Sequence, residues 1–301
     1  LPTPITTRGK QMRARIRNTE LYFDIDGMGL VPHPDRMVQR PVLFLLHGGP
    51  GGDHTLFKRK ISALRDVAQL VYIDNRGSGR SVPCDPETCT LEENVEDVEA
   101  LRDYLGLEHI ALFGSSYGGM IAQGYAVNYP DRVSSLILGS TAPSFRFLAA
   151  AREIVDARGS AEQKRVCQPL WDGSFASDEQ LHEFFRVMGP LYSLTFDAAA
   201  FDASAGQTTY NRDQLNRGFG GFLQSFDYID RLHLIGCPTL VMAGAHDWIC
   251  PPGQSELIAS KIRRSHLKIF ENSAHSISSD ETEAFLTAVR GFLTYAPLTG
   301  P

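Results

Sequence analysis

Long apolar runs are missing from this 301-residue chain. The longest uninterrupted stretches, such as residues 42–46, are strand-sized, whereas a membrane-spanning helix needs about 20 apolar residues. No membrane association is expected. A basic excess is missing too: 29 Lys and Arg stand against 35 Asp and Glu, for a net charge of −6. Phosphate backbones call for the opposite balance, so nucleic acid is not an expected partner. Cysteine is sparse, at five residues, and an odd count leaves at least one unpaired. None of them clusters with His at zinc spacing, so neither a metal nor another cofactor is implied. Cys84 and Cys89 stand close enough to bridge within a loop, but in a chain long enough to bury its own core a pair of free thiols is the expectation. Internal repeats, charge blocks and low-complexity tracts are also absent.

With 43% apolar residues and little net charge, the chain is a folded globule rather than a disordered one. It begins at Leu1 rather than Met, which is compatible with a removed leader; the cytoplasm is the default compartment. Leu1-Pro2-Thr3-Pro4 reads as an extended arm. The partner expected is a small molecule or short peptide, and the oligomeric state has no signature.

Hydrophobic periodicity alternates strand and helix, the pattern of a mostly parallel, doubly wound α/β sheet. Residues 21–26 alternate and precede a Gly-Met-Gly break, as in an edge hairpin. Residues 41–46, 70–73, 110–113 and 133–138 are continuous apolar runs, expected of strands buried on both faces. Residues 94–105 place Val95, Val98, Leu101 and Leu105 on one helical face before Gly106, and a second helix spans 120–128. The rhythm then stops. Residues 142–234 hold helical stretches (147–157, 178–188, 213–226) without a convincing buried strand. It resumes with strand 239–243, helix 253–262, strand 267–270 and helix 281–295. The expected organisation is one α/β core, residues 1–141 and 235–301, interrupted by a helical lid at 142–234.

Gly114-Ser115-Ser116-Tyr117-Gly118 directly follows one such strand and precedes a helix. Gly-x-Ser-x-Gly puts its central serine on a strained turn where flanking side chains would collide, which makes Ser116 the candidate nucleophile. The bare pattern arises by chance in about one chain of this length in ten, but the strand-turn-helix context is what the motif requires. A serine hydroxyl needs a base, and the base needs a partner that fixes its tautomer. Asp247 follows strand 239–243 and His275 follows strand 267–270, at the ends and in the order expected. His246 is the competing base, although it precedes its acid. A lone Asp or His is most often structural; three in these places and this order point to chemistry.

Acyl transfer also needs two preorganised N–H donors for the developing oxyanion. Tyr117, the residue after the nucleophile, supplies one. His47-Gly48-Gly49-Pro50-Gly51-Gly52 after strand 41–46 supplies the other, Gly49 being the best candidate. No Gly-Lys-Ser/Thr follows that loop, so it is not a phosphate cradle. His47 is expected to support the loop rather than act as a base. Asp74-Asn75-Arg76-Gly77-Ser78-Gly79-Arg80-Ser81 reads as a structural turn pinned by Asp74 and Arg76.

Together these segments resemble the α/β-hydrolase fold and, more narrowly, the prolyl aminopeptidase (proline iminopeptidase) family. The His-Gly-Gly-Pro-Gly loop combined with Asn-Arg-Gly-Ser-Gly carries most of that likeness. Tyr129-Pro130-Asp131-Arg132-Val133 and the stretch around Asp247 add to it, over about residues 40–141 and 236–290. The resemblance implies a helical lid and hydrolysis of an amide or ester beside a free N-terminal amine, held by a carboxylate. Asp213 is the one acid at the end of the lid and, with Trp248 after Asp247, is the candidate for substrate binding. A solvated carboxylate at a helix N-terminus is the plainer role for Asp213. Phe145, Phe147, Trp171, Phe184, Phe185, Tyr192, Phe219, Phe222 and Phe226 could line an apolar pocket, though helical spacing makes most of them core.

The expected function is thus a serine hydrolase working through an acyl-enzyme, first as an aminopeptidase or amino-acid amidase. The alternative is an esterase, lactonase or small-amide hydrolase with no need for a free amine. A serine at the elbow disfavours acid-nucleophile relatives such as dehalogenases and epoxide hydrolases. A non-catalytic ligand cage would be favoured by loss of a triad member, and none is lost.

Overall fold

A computed structural model describes residues 12–204 and 206–295. The arm expected at Leu1-Pro2-Thr3-Pro4 lies outside them. Strands β1 (Arg13–Ile16) and β2 (Thr19–Asp26) form a hairpin, and β3 (Leu30–His33) pairs with β4 (Arg36–Gln39) in a separate two-stranded ribbon. The buried strands follow: β5 (Val42–Leu46), β6 (Gln69–Ile73), β7 (Ile110–Ser115), β8 (Val133–Gly139), β9 (Thr239–Gly244) and β10 (Ser265–Phe270). The main sheet runs β1-β2-β6-β5-β7-β8-β9-β10, parallel from β6 onward and antiparallel at the β1-β2 edge.

Alternation along β5 explains why it needs cover on both sides. Leu43 and Leu45 face one layer, made of α1 (Thr55–Ile61) and α11 (Thr282–Tyr295). Phe44 and Leu46 face the other, built on α2 (Leu91–Tyr104), α3 (Tyr117–Asn128) and α9 (Pro252–Lys261). Each fully buried side chain of this size contributes about 1.5–3 kcal/mol. The chain steps from β5 to β6 on one side, then returns to place β7 on the other. That reversal opens a crevice at the C-terminal ends of β5 and β7.

Between β8 and β9 lie α4 (Phe147–Arg158), α5 (Ala161–Asp172), α6 (Asp178–Tyr192), α7 (Ala198–Ala203) and α8 (Arg212–Gly220). The ends of this segment are clipped together. Phe145 N donates to Phe226 O at 2.8 Å, and Tyr228 N to Pro143 O at 2.9 Å. The helix expected over 213–226 breaks at Gly220-Gly221, and residues 222–224 form a separate 3₁₀ turn. A short α10 (Ile277–Asp280) precedes α11.

Two expectations are corrected. The strand at 21–26 does lie in a hairpin at the edge of the sheet, but its partner β1 comes before it, through a turn at Arg17 with φ 49°, and not after the Gly-Met-Gly break. Cys84 and Cys89 are not free thiols but a disulfide with Cα atoms 6.5 Å apart; a 3₁₀ turn at Pro86–Thr88 folds the chain back between them. This local approach overrides the argument from chain size. Closing so short a loop stabilises by about 2 kcal/mol. Denaturant titration of the Cys84→Ser/Cys89→Ser double variant should show a loss of that size, and an unchanged midpoint would count the bridge as energetically idle.

Candidate active site

The chain turns from β7 into α3 at Ser116, whose φ of 54° and ψ of −122° lift its side chain out of the sheet. A Cβ at Gly114 would stand 2.2 Å from Gly118 O, and one at Gly118 would stand 2.0 Å from Leu46 O. Only glycine fits at either position, as the motif demands. Ser116 O accepts from Gly119 N at 2.9 Å and from Thr141 Oγ1 at 2.7 Å, while Ser116 N donates to Gly139 O at 3.0 Å. Tyr117 opens α3, where the first N–H groups have no carbonyl a turn behind them.

The loop after β5 runs alongside this turn: a Cβ on Gly48 would lie 3.1 Å from Ser116 Cβ. Gly49 has φ 123°, a conformation side-chain-bearing residues rarely adopt, and a Cβ there would meet Gly51 N at 2.6 Å. His47 is fully buried, and its Nδ1 donates to Gly48 O at 2.8 Å. Its Nε2 accepts from Asn75 N at 3.0 Å. Burial lowers its pKa against the pull of Asp74, so the ring is a neutral brace with a fixed tautomer. The Asp74–Ser81 turn therefore does more than close a loop: through Asn75 it holds the brace. Asp74 Oδ1 accepts from His54 N and Nδ1 at 2.8 and 2.7 Å, and Oδ2 from Arg80 N at 2.7 Å. Arg76 makes a buried fork to Asp97 of α2, at 2.8 and 2.6 Å.

Asp247, buried after β9, faces His275 after β10. His275 Nδ1 lies 2.8 Å from Asp247 Oδ2. Asp247 Oδ1 accepts from Ile249 N and Cys250 N, both at 2.9 Å, so the carboxylate cannot swing away. Tyr192 of α6 packs edge-on to the His275 ring, with centroids 5.5 Å apart. Asp280 ties the same loop to the end of α6, accepting from Ala274 N at 2.9 Å and Ser193 Oγ at 2.5 Å. Asp280 is not recognisable from sequence, and Tyr192 only as one of several candidate pocket aromatics, because each acts through a partner on a distant segment. His246 is exposed and does not line the cavity.

Gly48, Gly49, Ser116 and His275 line one cavity of about 540 Å³. Of the aromatics between β8 and β9, Phe184, Phe185, Tyr192 and Phe219 reach it, joined by Phe196, Phe201 and Tyr210. Phe147, Trp171 and Phe226 are buried in the core, and Phe145 is exposed. The segment between β8 and β9 also grips the loop carrying Gly49: Asn211 N donates to Gly51 O at 2.7 Å, and Asn211 Nδ2 to Gly77 O at 2.8 Å.

The two substrate-binding candidates do not reach the cavity. With Asn211 capping α8, Asp213 falls on the outer side of its first turn, 67% exposed and paired with Arg212 at 3.1 Å. Trp248 is buried behind Tyr192 and Trp171, at centroid distances of 5.3 and 6.1 Å, so it backs the cavity wall instead of forming it. Asp213→Asn should accordingly leave kcat/KM within about twofold on any substrate, as for surface changes in general; a larger loss would return Asp213 to the site.

Among the described residues no cluster of His, Cys, Asp and Glu could hold a metal ion, and no helix is long and apolar enough to cross a membrane. The sheet order, the crevice and the serine turn define the class: the chain belongs to the α/β-hydrolase fold family, whose model matches residues 41–282. It is a hydrolase of that fold. Within the family it is 36% identical to proline iminopeptidase PfmaB of Pestalotiopsis fici, covering 90% of this chain and 98% of that one. It is 30% identical to the proline iminopeptidase of Lactiplantibacillus plantarum, over 86% and 94% of the two chains. The crystal structure of proline iminopeptidase from Mycobacterium smegmatis superposes with a TM-score of 0.74 at 23% identity, covering 94% and 97%, a likeness of fold.

Proposed function

We propose that this is a serine hydrolase that works through an acyl-enzyme on Ser116. The observation that carries the reading is the His275 ring held at 2.8 Å by a buried, pinned carboxylate, in the same cavity as a serine at positive φ. Nε2 of His275 takes the hydroxyl proton as Ser116 Oγ bonds to the carbonyl carbon. The electron pair displaced onto oxygen is held by the N–H groups of Gly49 and Tyr117, each such donor worth about 3–4 kcal/mol. Collapse expels the leaving group, which His275 protonates. Water, deprotonated by the same imidazole, then releases the acyl group and returns the proton to Ser116. Asp247 keeps the tautomer and stabilises the imidazolium. The described residues of 142–234 act as a lid on the core formed by those of 1–141 and 235–301.

The substrate best suited to this cavity is an ester or small amide with an apolar acyl group and no required free amine. Among the described lining residues the only carboxylate is Asp197, which is exposed and whose Oδ1 is occupied by Ala199 N and Ala200 N. A buried ammonium would need better compensation. The proline iminopeptidase relatives favour a second reading, removal of an N-terminal residue with a free amine. Kinetics separate the two. Prolyl and alanyl p-nitroanilides should turn over no faster than their N-acetylated forms, and more slowly than p-nitrophenyl hexanoate. A clear preference for the free amines would overturn the first reading in favour of the second.

A further inference from the structure

The cavity wall formed by α1 and the loop into α10 carries a cation that the hydrolytic machinery does not use. Lys60 lines the cavity together with Ser278 and Ser279. Its Nζ donates to Ser279 Oγ at 2.5 Å, and no carboxylate of the described residues lies within ion-pairing reach of it. Asp280 is next in sequence but is engaged elsewhere, accepting from Ser193 Oγ, Thr195 N, Thr195 Oγ1 and Ala274 N. An ammonium has three donors, and only one is satisfied here by the protein. Burial pulls the Lys60 pKa down, and the charge of Asp280 opposes this only in part. The neighbouring wall is apolar, formed by Phe57, Phe113 and Ile277. A half-buried, under-compensated cation at the edge of an aromatic cavity is where a ligand anion gains most from pairing.

We propose that Lys60, with Ser279, receives a carboxylate at the far end of the acyl group, so that the enzyme prefers esters or amides of apolar chains ending in an acid. This selectivity rests on the acyl-enzyme reading above and adds a substrate class to it. The carboxylate takes the two free Nζ donors and leaves the reacting atoms at Ser116 untouched. It also fits a cavity that disfavours a substrate amine, because the Lys60 ammonium carries the same sign of charge.

The test compares mono-p-nitrophenyl succinate, adipate and suberate with neutral p-nitrophenyl esters of matching chain length. At the best-fitting length the half-ester should have the higher kcat/KM. Lys60→Met should reduce the half-ester-to-neutral ratio about ten- to a hundredfold, the range of a charge-assisted hydrogen bond. Lys60→Arg should keep most of the ratio. The neutral esters report on folding and on the machinery, so the ratio, and not either rate alone, is the readout. If no ester of either kind turns over, the acyl-enzyme reading fails. If both kinds turn over and the ratio is unmoved by Lys60→Met, the acid subsite is overturned and the hydrolase reading stands. Calorimetry on Ser116→Ala protein with monomethyl adipate gives a readout free of turnover: heat of binding should disappear on adding Lys60→Met, and equal binding to both proteins would likewise overturn the subsite.

Discussion

Replacing Asp247 by Asn should lower kcat about ten-thousandfold on any ester the enzyme accepts, with the thermal midpoint nearly unchanged. The substitution keeps shape and keeps the carbonyl that accepts from Ile249 N and Cys250 N at 2.9 Å, so the loop after β9 stays in place. What changes is the atom 2.8 Å from His275 Nδ1. An amide NH₂ there is a donor, so Nδ1 must become the acceptor and the proton moves to Nε2. An imidazole protonated at Nε2 cannot take the proton of Ser116. The companion Ser116→Ala should abolish labelling by a fluorophosphonate probe altogether. Labelling that survives in Ser116→Ala would move the nucleophile elsewhere. An Asp247→Asn variant with near-normal kcat would strip His275 of its part as the base.

The largest effect on stability is expected from one methyl group. A Cβ at residue 118 would lie 2.0 Å from Leu46 O, 2.5 Å from Leu46 C and 2.7 Å from His47 O, all backbone. Nothing flexible can move aside, because β5 is hydrogen-bonded on both sides, to β6 and to β7. Gly118→Ala should cost more than about 4 kcal/mol, or yield no folded protein at all. Gly291→Ala supplies the control of opposite sign. It lies inside α11 with nothing within 4 Å of the new Cβ, so the helix should gain roughly 0.5–1 kcal/mol. Denaturant midpoints of the two variants would read out both, and a mild effect at 118 would mean that the turn can relax away from β5.

The two variants mark where sequence is informative. Strands β5 to β9 are legible because both faces are buried, which forces an unbroken apolar run. The candidates Ser116, Asp247 and His275 are legible because each lies within a few residues of the C-terminal end of a strand, β7, β9 and β10 in turn. The β3-β4 ribbon escapes notice since its residues are largely exposed and carry no alternation. Helix α5 is hidden by Pro169 inside it, and α7 buries no residue at all. Asp213 misleads for a different reason. The family resemblance implies an acid near the end of the lid and Asp213 is the one there, but the Asn211 cap sets the rotation of α8 and turns that acid outward. Lys60 is invisible as well, because its setting depends on Ser279, far away in sequence.

The clip that joins residues 143–145 to 226–228 has a consequence for how such a protein can change. Both ends of the helical segment meet at one short ladder beside neighbouring strands β8 and β9, so the segment is attached as an appendage rather than woven through the sheet. In the proposed reading the reacting side chains are carried by one part of the chain, while the other supplies much of the cavity wall. Exchanging everything between the two halves of the clip for the matching stretch of another hydrolase should therefore re-address the enzyme without rebuilding its chemistry. The graft must still present a backbone N–H to Gly51 O and a side-chain donor to Gly77 O, as Asn211 does, to steady the loop that carries Gly49.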